Sequence, residues 1–192
     1  MGLVQPIATR RSATGIPTGK LAVWWVVGSE IVIFGGVLMS YLLFRLSYDH
    51  WGEYAAATNT KIGAINTFVL LTSSLCIVLA HYYAEKKDRF KSFVYIWLTI
   101  GGALTFLIFK SFEWAHEIHL GYTITANLFW AFYYTAAGIH ALHVIIGALI
   151  MAIISFDVLQ GKNMHRVELI GIYWHFVDIV WIFLFPLLYI AK

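Results

Sequence analysis

Eight ionisable side chains stand inside or at the edges of long apolar runs: Glu30, His81, Glu113, His140, His143, Glu168, His175 and Asp178. A charge at the centre of a lipid-embedded helix costs about 2.5–3.5 kcal/mol, so each of these groups calls for a partner, a proton or a function. Two chemistries suit the set. Imidazole is the commonest metal ligand, and His140 and His143 are spaced i, i+3 on one helical face, though a closed metal site needs further ligands from other helices. Hydrogen bonding between helices is the other use for the same pair. Glu30, which follows Gly28-Ser29, lies deep enough for desolvation to favour the neutral acid unless a base or a water chain compensates. It reads either as a proton-relay carboxyl or as a packing group bonded between helices.

Glu168, His175 and Asp178, seven and three residues apart, fall within about 80° of one helix face. They form a polar stripe in an apolar segment and are expected to face a neighbouring helix, with His175 and Asp178 satisfying each other. Cysteine chemistry is excluded: Cys76 is the one cysteine, so there is no internal disulfide, C-x-x-C pair or cysteine-rich metal site.

The elements that must position these residues are membrane helices. Of the 192 residues, 60% are hydrophobic and only 12% charged, against about half and a quarter in soluble domains. Crossing about 30 Å of hydrocarbon takes about 20 helical residues. Five runs of that length span about 21–44, 62–83, 93–112, 127–156 and 169–190. They are continuously apolar rather than alternating, which predicts an all-α integral membrane bundle and not a barrel. Gly28, Gly35, Gly36, Gly101, Gly102, Gly138 and Gly147 are expected to permit close helix approach. Trp24, Trp25, Tyr48 and Trp51 suit the headgroup belt.

Basic residues set the expected orientation. One side carries Arg10, Arg11, Lys20, Lys86, Lys87, Arg89, Lys91, Lys162 and Arg166, and the other carries Arg45, Lys61, Lys110 and Lys192. The positive-inside rule then puts the N-terminus in the cytoplasm and the C-terminus in the periplasm. Residues 1–20 read as a basic cytoplasmic tail before a core over 21–192. The run after Arg10-Arg11 is too long for a cleaved export signal. The loop holding Lys86, Lys87, Arg89 and Lys91 is a topogenic loop or a binder of anionic headgroups.

Several strings, in order, resemble subunit III of the haem-copper respiratory oxidases (the subunit 3 of cytochrome c and quinol oxidases). They are Gly138-Ile139-His140-Ala141-Leu142-His143, running on to Gly147; Tyr173-Trp174-His175-Phe176-Val177-Asp178, running on to Trp181; and the shorter Ser29-Glu30, Ala80-His81 and Phe112-Glu113-Trp114. The resemblance covers nearly all of the chain after about residue 20, and five helices make it similar to the short bacterial type. The basic residue that the family often carries after the fourth helix is matched by Asp157, and the two helices that form one arm of a lipid cleft in the longer type are missing.

The resemblance implies a non-catalytic subunit of a proton-pumping oxidase complex in the bacterial inner membrane. It would support proton uptake, lipid binding and stability, and Glu30, His81, Glu113, His140, His143, Glu168, His175 and Asp178 would be its proton-handling or interhelical polar groups. Haem and copper would belong to partner subunits, with bound phospholipid as this chain's own possible ligand. Expected partners are subunit I directly, subunit II, other respiratory subunits and membrane lipids, with no nucleic acid. Two other readings stand beside it: the related accessory protein of nitric oxide reductases, and a haem- or metal-binding electron carrier.

Overall fold

A computed structural model describes residues 15–191. Arg10, Arg11 and Lys192 lie outside the described residues. Six α-helices follow in order: α1 (Thr18–Ser47), α2 (Trp51–Ala56), α3 (Thr60–Glu85), α4 (Arg89–His119), α5 (Leu128–Leu159) and α6 (Arg166–Phe185), the last continuing into a π-helical turn at Pro186–Ile190. No β-strand occurs among the described residues. Five of the helices are long and apolar enough to cross a membrane. The short α2 was not expected. It carries Trp51 into the core at 4% exposure, so Trp51 is a packing residue and not part of a headgroup belt, whereas Trp24, Trp25 and Tyr48 are exposed.

Helix ends are written locally. Asn59, Asp88 and Asn127 cap α3, α4 and α5 by accepting backbone N–H bonds from Lys61 and Ile62, from Lys91, and from Trp130, which satisfies donors that have no partner inside a helix. Lys91 N–H holds the Asp88 carboxyl below its ordinary range. The charged cap is therefore kept at neutral pH and lost as the pH falls through that lowered value. At the far ends, Gly121 and Gly161 adopt φ of +87° and +71°. There Tyr122 N–H returns to Glu117 O and Lys162 N–H to Asp157 O, the closing bonds of Schellman caps.

Helices α3 to α6 form the tight part of the bundle. Lipid tails are as apolar as leucine, so shape and interhelical hydrogen bonds do the joining. A Cβ added at Gly102 would come within 2.7 Å of Ser73 Cβ, and one at Gly147 within 2.9 Å of the Trp174 ring. Gly28, Gly35, Gly36 and Gly101 instead face open space, and Gly138 has only an ordinary contact at 3.9 Å. Their expected role in close approach is corrected: composition cannot say which side of a helix meets another. Gly147→Val should lower stability by about 1–3 kcal/mol by overpacking. Thermal dissociation of the detergent-solubilised complex would check this, and no shift would refute the contact.

Bonds across the bundle include Ser92 Oγ–H to Ala80 O (2.9 Å), Trp174 Nε1–H to Ser73 Oγ (3.2 Å) and Trp181 Nε1–H to Thr67 Oγ1 (3.0 Å). Helix α1 lies at the edge. Its buried residues Val27, Phe34 and Tyr41 are seven apart and form one seam against α5 and α6. Most of the remaining α1 surface is apolar and exposed, as a lipid-facing or partner-facing surface must be.

Pro186 ends α6 because it has no N–H to give. The chain passes into the π-helical turn, and the carbonyls released there find side chains from elsewhere. Tyr41 O–H donates to Leu187 O (2.7 Å), Thr58 Oγ1–H to Leu188 O (3.3 Å) and Thr60 Oγ1–H to Tyr189 O (3.0 Å). This fastening turns the Tyr189 phenol inward, where it is fully buried.

Candidate functional site

The polar residues form two clusters and several isolated positions. The first cluster lies where α1, α5 and α6 meet. Glu30 Oε2 stands 3.1 Å from His143 Nε2, within ion-pair distance though not aligned as a hydrogen bond. His143 Nδ1 lies 2.8 Å from Ile139 O. That contact places the proton on Nδ1, since a carbonyl can only accept, and leaves Nε2 to face the carboxyl. Tyr173 O–H donates to His143 O at 3.2 Å. The pair opens into a groove of ≈ 500 Å³, otherwise largely apolar, whose far end carries Arg166. Thus Glu30 of α1 faces an imidazole of α5 across the seam between the two helices.

The second cluster was largely missed by sequence reasoning. Lys110, Glu113 and Glu117 occupy successive turns of one α4 face and are 1%, 3% and 4% exposed. Lys110 Nζ donates to Glu113 Oε2 (3.0 Å), to Tyr133 OH (2.9 Å) and to Tyr189 OH. Tyr133 O–H donates to Glu117 Oε1 at 3.0 Å, Tyr189 O–H to Glu113 Oε2 at 3.0 Å, and the two phenol oxygens are 3.0 Å apart. Lys110 is therefore not a loop residue marking the outer side. The apolar run expected from the sequence ends at Phe112, whereas α4 continues to His119. The i, i+3, i+7 spacing of Lys110, Glu113 and Glu117 was the available signal.

The other positions separate. His140 is fully buried between Phe106 and Trp181, at ring-centroid distances of 5.5 and 5.2 Å. Neither of its ring nitrogens has a hydrogen-bond partner among the described residues. His140 and His143 thus point to different surroundings and do not converge. His175 Nδ1 pairs with Ser74 Oγ at 2.8 Å. Ser74 is also a polar neighbour of Asp178, yet both Asp178 oxygens lack an aligned hydrogen bond. The expected mutual bond of His175 and Asp178 is corrected: the His175 ring turns to Ser74 of α3 instead. Glu168 leaves the stripe as well, pairing with Lys20 at the start of α1. His81 lies 3.6 Å from Glu85, outside both clusters. Asp157, inside α5, pairs with Arg166 at 2.8 Å. No group of three or more His, Cys, Asp or Glu side chains among the described residues is arranged to hold a metal ion.

A family model described as cytochrome c oxidase subunit III matches residues 10–192. The chain belongs to this family. Among its relatives, cytochrome c oxidase subunit 3 of Thermostichus vulcanus is 36% identical, over 84% of this chain and 82% of the relative. A probable quinol oxidase subunit 3 of Staphylococcus saprophyticus is 29% identical, over 88% and 87%. A haem-copper oxidase subunit I+III of Aeropyrum pernix is 30% identical over 90% of this chain, which spans only 22% of that longer protein. The chain is a subunit III of a haem-copper oxidase, a multi-pass membrane component of the respiratory chain. The Glu30–His143 pair and the Lys110 cluster are thus polar centres of an oxidase subunit III.

Proposed function

We propose that this subunit III packs on the catalytic subunit I of a proton-pumping terminal oxidase in a bacterial plasma membrane, supporting proton uptake, lipid retention and the stability of the complex. The observation that carries the packing is the Aeropyrum relative, whose name joins subunits I and III in one chain. An apolar α1 buried along a single seam, with its remaining surface exposed, supports it. Haem and copper reside in partner subunits, and subunit II belongs to the same assembly. The groove bearing Glu30, His143 and Arg166 suits a phospholipid chain along its apolar wall.

The orientation has the N-terminus in the cytoplasm. Among the described residues Lys20, Lys86, Lys87, Arg89, Lys91, Lys162 and Arg166 gather at one end of the bundle, and removing the buried Lys110 from the opposite tally strengthens the asymmetry. The contact of the Arg89 side chain with Gly161 and of Lys20 with Glu168 brings those segments together. The basic residues before α1 then form a cytoplasmic tail ahead of the five-helix core.

Isolation of the complex through a tag on this chain, followed by mass spectrometry, tests the reading. Recovery of an oxidase subunit I supports it; recovery of a nitric oxide reductase catalytic subunit overturns it, as does a stoichiometric haem absorption band on the separated chain. Glu30→Gln should leave oxygen reduction largely intact and abolish labelling of the α1 carboxyl by a hydrophobic carbodiimide. Equal labelling of Glu30 and the exposed Glu53 in the unaltered protein would remove the case for a buried proton-handling carboxyl there.

A further inference from the structure

The second cluster contains one ammonium and two carboxyls, all nearly inaccessible, and the phenols of Tyr133 and Tyr189 complete its inner surface. The groups packed around it add no counter-charge. α3 contributes no buried charged residue, α5 adds Tyr134 and the fully buried His140 behind Trp181, and the exposed His116 and His119 of α4 point away. An unpaired charge at such burial is expensive, so the cluster is balanced only if it also holds one proton.

The hydrogen bonds distinguish the two carboxyls. Glu113 Oε2 accepts from both Lys110 and Tyr189, as an ionised carboxylate does. Glu117 receives only the Tyr133 hydroxyl. Its Oε2 and Glu113 Oε1 are buried without partners among the described residues. The four acidic groups lie in series, Glu117 to Tyr133 to Tyr189 to Glu113, each step 3.0 Å.

We infer that Lys110, Glu113, Glu117, Tyr133 and Tyr189 form a proton-binding site that holds one exchangeable proton, shared by the two glutamates through the two phenols. When a proton occupies Glu117 Oε1, the Tyr133 hydroxyl, which otherwise points to that oxygen, turns to the Tyr189 oxygen; Glu117 then donates to the Tyr133 oxygen, and the Tyr189 hydroxyl keeps its bond to Glu113 Oε2. Three hops carry one proton equivalent across. Glu117 is left as the carboxylate and Glu113 as the acid, both phenols remain neutral, and Lys110 stays the counter-ion in contact with Tyr133, Tyr189 and Glu113 throughout. Glu117 is two residues from the end of α4 and is the member nearest the outer loop. The site is separate from Glu30–His143 and depends on this chain's own fold, so it stands or falls apart from the choice of partner subunit.

Infrared difference spectroscopy of the assembled oxidase, carrying isotope-labelled glutamate and exchanged into heavy water, reads the proton directly. The carbonyl band of one protonated glutamic acid is expected from the cluster. Glu117→Gln and Glu113→Gln should each abolish it, because either leaves a single carboxylate facing a single ammonium. A purely structural ion-pair cluster has no such band to lose. Persistence of the band in either variant overturns the shared site. In the unaltered complex, finding no protonated glutamic acid beyond one that Glu30→Gln removes overturns it too, and that comparison does not require a cluster variant to assemble.

Discussion

Lys110→Met is expected to destabilise the subunit by about 3–5 kcal/mol, the typical cost of removing one partner from a buried ion pair. Two carboxyls and two phenols would then surround a thioether. Glu113 would keep only the Tyr189 hydroxyl, and the negative charge that Lys110 balances would be stranded. The cost should appear as dissociation of the subunit from the oxidase at a lower temperature or detergent concentration. It should exceed that of Lys61→Met, because Lys61 is exposed on α3. Equal stability of the two variants would show that Lys110 carries no buried charge.

Trp181→Ala should cost about 3–5 kcal/mol, the usual range for a large aromatic removed from a packed core. In lipid the hydrophobic share of that figure is weak, so the loss falls on packing and on specific bonds. Trp181 is 1% exposed, sits 4.8 Å from Phe106 and 5.2 Å from His140 by ring centroids, and donates its Nε1–H to Thr67. It also separates His140 from the Lys110 cluster, with Lys110 Nζ 5.7 Å from its ring. Trp181→Phe should restore most of the packing and lose only the bond to Thr67. Thermal unfolding of the three forms in one detergent checks the order, and an alanine variant as stable as the phenylalanine one would contradict it.

The polar network shows why some residues were legible beforehand and others were not. Glu30 and His143 each stood out as an ionisable group in an apolar run, but their meeting depends on α1 crossing α5, which local spacing does not encode. His175 and Asp178 were legible as a stripe and wrongly joined, because a shared face is not a shared contact: Ser74 on α3 took the histidine. Lys110 was hidden by a plausible rule, since most lysines near the end of an apolar run lie in the headgroups. It is buried here because Glu113, Tyr133 and Tyr189 meet it.

The sequence by itself determined the five membrane helices and the family, since each rests on local composition or on ordered motifs. Only the tertiary structure decided which polar groups are partners. Glu30 acquired a base from α5, and Lys110 acquired the Tyr189 phenol from the π-helical turn that Pro186 starts, 79 residues farther along the chain. Such pairings are fixed by helix rotation and crossing, which depend on the packing of Gly102 on Ser73 and Gly147 on Trp174.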